Sequence, residues 1–421
     1  MASIAHEPLG HREKRVWEPR PGGLGGRRAR QGGTYEVFLP AEIAGRDFAL
    51  DGDVVAAVAR ATRALAQLNA SHPRLASLDA IASALLRSES TASSRIEDLA
   101  VSQRRLARAA LERDGRPGRD QKAIEILGNV EAMKAAVALG AGGEAISVED
   151  IAEIHRVLLR FTSDRSIAGV IREKQNWIGG NAFNPLSAVY VPPPPHLVRP
   201  LLDDLCRFMA RDDLAPIVQA AIAHAQFENI HPFADGNGRV GRALIHVVLR
   251  RTDEAVNYVP PVSVVLAAVQ RSYIAGLAEF SAGDVSSWCD LFASATEQSV
   301  YEAQRLAAKI DELEATWLER LGATRSDSAV RQVLSDLPGQ PVIDVSAACA
   351  LTGRSHAAIQ KALTQLEQAG IARPLNEKKW GRAWECTELL ELVEAFEESV
   401  SSSLSGRDRG ESPVAPLPQQ M

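Results

Sequence analysis

Gly236 and Gly238, separated by a single asparagine, fall between an imidazole and a helical run, and they restrict the surrounding chain more than any other pair of residues. In the segment His231 to Arg242, HPFADGNGRVGR, these two positions carry no side-chain bulk and tolerate positive φ. Backbone N–H groups can then turn inward and form an anion-binding nest. Beyond Gly238 the apolar residues Val240, Leu244, Val247 and Val248 recur at helical intervals, so a helix starts at the loop and points its positive end toward it. A phosphate suits such a site. Arg239 and Arg242, three apart, set two guanidinium groups on one helix face as phosphate clamps. Asp235 is an anion among donors, which is sensible chiefly when a divalent cation joins it to the phosphates. His231 closes the preceding segment, where a neutral imidazole can take a proton from an incoming hydroxyl. Singly, a Gly-Asn-Gly turn or a His or Asp near a turn is commonplace. Together they describe a phosphate site with a base beside it.

The segment resembles the signature of the Fic (filamentation induced by cAMP) family, HxFx[DE]GNGRxxR, which His231, Phe233, Asp235, Gly236, Asn237, Gly238, Arg239 and Arg242 match at every specified position. The resemblance implies transfer of AMP from ATP, with magnesium, to a Ser, Thr or Tyr hydroxyl of a target protein. It makes His231 the general base, Asp235 the magnesium ligand, and Asn237 with the loop amides of Gly236 and Gly238 the holder of the phosphates. Arg239 and Arg242 would neutralise the pyrophosphate leaving group. Phe233 would pack beneath the loop and fix its shape. Tyr273, on a helical stretch from Gln270 to Leu277, falls where similar proteins place an aromatic near the adenine. A lone helical tyrosine is more often part of a core.

Far upstream, Ser93-Ser94-Arg95-Ile96-Glu97 resembles the family's inhibitory motif [ST]xxxE[GN], with Asp98 where Gly or Asn is usual. The resemblance implies that Glu97 pairs with Arg242 and blocks productive seating of the ATP γ-phosphate. A guanidinium fork satisfies only one such partner well, so carboxylate and phosphate would compete. Gln175 to Gly180, with Asn176, Trp177 and Ile178, together with Ala188 to Val191, containing Tyr190, resembles the family's flap, a β-hairpin that clamps the target segment. The residues by themselves allow a hairpin, since Val189 to Val191 is β-prone and Gly and Asn supply the turn. They equally allow a surface hairpin with structural aromatics. Pro192 to Pro195 end any ladder there.

At 421 residues the chain exceeds one ordinary core. The expected organisation is a mobile basic arm over 1–34, a helical region with the inhibitory motif over 35–120, a catalytic core over 121–304, a linker helix over 305–325, a winged helix-turn-helix over 326–398 and a disordered tail over 399–421. The fold class is mainly α: a helical Fic fold with a β-hairpin flap, followed by the winged helix. In that last unit Ser355 caps a third helix whose outward face carries Arg354, His356, Gln360, Lys361 and Thr364, with Lys378, Lys379 and Arg382 at the wing tip. A net charge of −6 argues against a strong phosphate footprint, so DNA contact, target docking and a homodimer interface all stay open for it. The four cysteines are scattered, without CxxC or zinc spacing, and no apolar run approaches about twenty residues, so a cytoplasmic protein with reduced thiols and no membrane span is expected. Two other readings remain: a DNA-binding regulator whose body senses nucleotide, and an enzyme of the same fold that uses another nucleotide or removes AMP.

Overall fold

A computed structural model describes residues 8–18, 31–70, 79–111, 120–252, 260–375 and 382–405. The chain opens on strands β1 (Gly10–Trp17) and β2 (Gly33–Pro40), which pair antiparallel along their whole length, from Gly10 opposite Pro40 to Trp17 opposite Gly33. Helices follow: α1 (Gly52–Ala70), α2 (Asp79–Ile96), α3 (Gln103–Leu111), α4 (Gln121–Ala141), α5 (Val148–Leu159), α6 (Pro195–Met209), α7 (Pro216–Ile230), α8 (Asn237–Arg251), α9 (Val262–Ala268), α10 (Gln270–Ala282) and α11 (Val285–Leu321). The remaining elements are α12 (Ala329–Asp336), β3 (Val342–Asp344), α13 (Val345–Thr352), α14 (His356–Gln368), β4 (Arg373–Pro374), β5 (Ala383–Glu385) and α15 (Thr387–Ser405). The fold is mainly helical, as the periodicity predicts.

At the centre lie α7 and α8, which pack on each other and are buried nearly all round, with α4 laid against α8. Their sequences explain this. AAIAHAQF and VGRALIHVVL leave few polar side chains to face water, so both helices must be covered. Pro216 opens α7, where its missing N–H costs nothing. Asp120 caps α4, and Ser147 with Asp150 forms a capping box at the start of α5.

Three parts of the chain differ from the sequence expectation. The arm read as mobile contains β1, whose pairing to β2 is reinforced by Leu9, Phe38 and Val37 in the core and by an edge contact of Trp17 with Trp177 at 5.6 Å. The charged residues Arg12, Glu13, Lys14 and Arg15 look like a solvated run until the partner strand is known. The boundary expected near residue 304 falls inside α11, a single helix of 37 residues with no glycine or proline to break it. The flap is not a regular hairpin: a single antiparallel bridge joins Ile178 to Tyr190. Between them Asn181 and Asn184 bond the loop's own backbone, and a 3-10 turn at Pro185–Ser187 uses up the residues that a ladder would need.

In the C-terminal part, α12, α13 and α14 are followed by a three-stranded sheet of order β3-β5-β4. Ser355 caps α14 on Ala358 N, and its face with His356, Gln360, Lys361 and Thr364 is exposed. Arg354 is exposed too, but its guanidinium is tied to Gln332 and to the Asp327 carbonyl. Lys378 and Lys379 lie outside the described residues. Helix α15 then returns to pack on α9, α11 and α3.

Candidate active site

The loop between α7 and α8 is shaped by hydrogen bonds from all sides. His231 caps the C-terminus of α7 in the left-handed conformation, φ 49°, one of two non-glycine positive-φ residues among those described. Its conformation turns the chain abruptly, so Pro232 to Gly236 can run back over the helix ends. Asn237 closes the loop: its Oδ1 accepts from Phe233 N at 2.8 Å and its Nδ2 donates to Phe233 O at 2.9 Å. The side chain expected to hold phosphate is thus spent on the loop's own backbone, which leaves the backbone amides and arginines to meet an anion. Gly236, φ 78°, has the left-handed backbone expected of the nest. Phe233 is buried beneath the loop, stacked on His155 with ring centroids 3.8 Å apart.

His155 belongs to this scaffold. Its Nδ1 accepts from Gly169 N at 2.9 Å, which leaves Nε2 as the protonated nitrogen, donating to Asp235 O at 3.0 Å. Burial lowers its pKa to about 4, so it stays neutral. His224 has Nε2 2.8 Å from the Tyr273 hydroxyl. Tyr273 is 2% exposed and its hydroxyl accepts from Arg242 at 3.5 Å, so it supports the arginine within the core and presents no ring face to an adenine.

His231 is buried. Burial first, and then the Arg172 cation, lower its pKa to about 4, while Glu97 and Asp235 oppose the shift. At neutral pH it is therefore an uncharged imidazole able to accept a proton. Its Nδ1 lies 3.9 Å from Glu228 Oε2. Burial raises the Glu228 carboxyl to about 8 against the pull of Arg242, so it carries its proton at neutral pH. Arg239 donates to Asp235 Oδ2 at 3.2 Å, while its buried Nε and Nη1 find no partner among the described residues. Buried donors in that state are what an anion at the nest would satisfy.

Arg242 is 1% exposed and, apart from its contact with Tyr273, is engaged by Ser93 and Glu97. Its Nε donates to Ser93 Oγ at 2.9 Å, and Nη2 donates to Ser93 O and to Glu97 Oε1, each at 2.8 Å. Burial would raise the Glu97 carboxyl, but the Arg242 charge and hydrogen bond, with Arg239 behind them, hold it below the usual range. The carboxylate also lies against Gly238, where a Cβ would strike Glu97 Oε1, so it covers the start of α8. The turn that delivers it is a Schellman motif: Leu99 N donates to Ser94 O, Asp98 N donates to Arg95 O, and Asp98 sits at φ 60°. The position where Gly or Asn is usual is therefore left-handed, and aspartate is among the residues that tolerate it.

The flap residues gather at the other side of the loop. Asn176 Nδ2 donates to Phe233 O at 3.0 Å, Tyr190 donates to Asn229 O at 2.7 Å, and Trp177 Nε1 donates to Asn181 O at 2.7 Å. Sequence reasoning missed Arg172, Glu228 and the loop-building role of His155. Among the described residues no group of three or more metal-ligating side chains is assembled, and no helix is long and apolar enough to cross a membrane.

Comparison with known proteins finds the Fic/DOC family over residues 145–249 and the Fic/DOC family N-terminal region over residues 55–138. Protein adenylyltransferase fic-1 of Caenorhabditis elegans is 32% identical over 160 residues, 37% of this chain and 28% of that protein. Protein adenylyltransferase Fic of Drosophila melanogaster is 32% identical over 180 residues, 42% of this chain and 33% of that protein. The chain thus spans about a third of the length of these curated relatives. The crystal structure of a Fic family protein from Desulfovibrio desulfuricans superposes with a TM-score of 0.50 at 21% identity, covering 80% of this chain and 97% of the other, which places the fold.

Proposed function

The chain carries a Fic/DOC domain preceded by that family's N-terminal region, and from that premise we propose that it is a protein adenylyltransferase that moves AMP from ATP to a Ser, Thr or Tyr hydroxyl of a protein, restrained by Glu97. The observation that carries this reading is the engagement of Arg242 by Ser93 and Glu97. Every hydrogen bond that its Nε and Nη2 make goes to Ser93 or Glu97, at the mouth of a nest built for phosphate.

The chemistry follows from the residues present. With Glu97 withdrawn, Arg242 and the orphaned donors of Arg239 face the β- and γ-phosphates beside the start of α8. His231, neutral and fixed at the helix end, takes the proton of the attacking hydroxyl as that oxygen bonds to the α-phosphorus and pyrophosphate leaves. Asp235 fits a magnesium ligand, since its carboxylate is a hard oxygen donor, 40% exposed at the loop rim beside Arg239. Bound there, the ion would neutralise phosphate charge. The edge of the flap near Tyr190 would pair with the target's extended backbone.

The test uses Glu97→Gly, with and without His231→Ala, incubated with magnesium and ATP labelled at either the α- or the γ-phosphate. Label should reach protein from the α-position alone, and His231→Ala should lower its rate by about 10²- to 10⁴-fold. Label arriving from the γ-position would point to phosphoryl transfer instead. Undiminished labelling without His231 would remove its role as base.

A further inference from the structure

Arg172 joins more pieces of the candidate site than any residue of the signature segment. Its Nε donates to His231 O at 2.8 Å, and Nη2 donates to Pro193 O at 2.5 Å and to Ile230 O at 3.4 Å. Nη1 donates to Lys174 O at 3.2 Å, and its backbone N donates to Pro232 O at 2.9 Å. The carbonyls of three consecutive residues, 230 to 232, are thus collected by one residue at the place where His231 adopts φ 49°. A left-handed non-glycine residue costs free energy and persists only where its surroundings over-determine it. Pro193 closes the end of the flap, so the same guanidinium links flap and base. We propose that Arg172 is the positioning residue of the transfer reaction, holding the His231 peptide in its left-handed conformation and registering the flap against it.

The charge also has a consequence for the base. The groups that face His231 are Arg172, Glu97, Glu228 and Asp235, and Arg172 alone among them disfavours the imidazolium. Arg172 itself is lowered only to about 10 by burial, so it stays a cation at neutral pH. This inference rests on the adenylyltransferase reading, and its test separates the two. In the Glu97→Gly chain, Arg172→Gln should reduce kcat by about 10²-fold with the KM for ATP little changed, as expected for a displaced base. Arg172→Lys keeps the charge and should lose kcat while leaving the imidazole titration in place. A nuclear magnetic resonance titration of the His231 ring needs no turnover, and in Arg172→Gln its midpoint should rise toward the ordinary histidine value. An unmoved midpoint in Arg172→Gln, or full kcat in both variants, would overturn the assignment. An inactive parent with a shifted midpoint would overturn the reaction and keep the positioning role.

A separate set of contacts concerns the restraint. Glu397 of α15 has a side chain 6% exposed and binds both flanks of the turn that carries Glu97: Arg95 through an ion pair, and Gln103 Nε2 at 2.7 Å. Glu394, one turn earlier, accepts from Gln103 N at 2.9 Å. Buried Glu385 of β5 gathers Arg108 at 3.1 Å and Arg104 at 3.4 Å from the helix that follows. We infer that the C-terminal unit is a second hold on the inhibitory turn, so that a displacement of α15 loosens Glu97. Arg95→Ala changes a half-exposed side chain, and Glu397→Gln preserves shape. Both should speed hydrogen–deuterium exchange in residues 93–99 by about tenfold while leaving 79–90 unchanged, and should raise labelling by less than Glu97→Gly does. Exchange unchanged at 93–99 in both variants would overturn the inference, whatever the labelling.

Discussion

The loop from Phe233 to Gly238 and the turn from Ser93 to Asp98 meet at Arg242, yet they are held in opposite ways. The loop's backbone is fastened by neutral hydrogen bonds from Asn237, His155 and Asn176, and only its Asp235 side chain is ion-paired, to Arg239. The turn is fastened to the site through the Arg242 cation, by two bonds to Ser93 and by an ion pair whose carboxylate partner is 38% exposed. Neutral bonds to backbone offer nothing for a ligand to exchange with. A carboxylate on a guanidinium can be replaced by a phosphate that makes the same bonds. One region is built to stay and the other to be displaced.

The contrast can be broken at the loop first. Asn237→Ala leaves the Phe233 N–H buried without its acceptor, which should cost roughly 1–3 kcal/mol, while the carbonyl keeps Asn176 as its donor. A thermal or denaturant midpoint measures this, and a variant as stable as the parent would mean that the loop is held by packing alone. The next effect is a pH dependence. The Glu228 carboxyl is raised by burial from 4.5 to about 8, so the folded chain binds the proton more tightly than the unfolded one. That contribution to stability is complete below the unfolded value and is lost as pH rises toward 8. Glu228→Gln should flatten the midpoint across this range, and an unchanged slope would show that the carboxyl is already ionised. The smallest effect sharpens the turn. Asp98 at φ 60° pays part of the left-handed penalty, and Asp98→Gly should add up to about 1 kcal/mol and slow labelling slightly. Faster labelling would mean that the turn does not hold Glu97 in place.

Much of this was legible in the sequence because the motif residues are contiguous. Gly236 and the helix that follows it stand where the pattern put them, and Glu97 pairs with Arg242 as the resemblance to the inhibitory motif implies. Other features depend on partners that no local pattern names. Arg172 binds carbonyls, which every residue has, so nothing in IREKQNW distinguishes it from a surface arginine. Asn237 fits its motif position equally well as a phosphate ligand or a loop staple, and only the Phe233 backbone decides between them. Strand β1 carries charges on both faces, Arg12 and Lys14 on one and Glu13 and Arg15 on the other, and becomes a strand because β2 lies beside it.

The competition for Arg242 is tested most directly by the initial rate of α-phosphate labelling from ATP and magnesium, wild type against Glu97→Gly at equal protein concentration. A charge-assisted hydrogen bond of about 1.5–3 kcal/mol predicts a rise of roughly 10- to 150-fold on removing the carboxylate. Equal rates in the two chains would contradict the account.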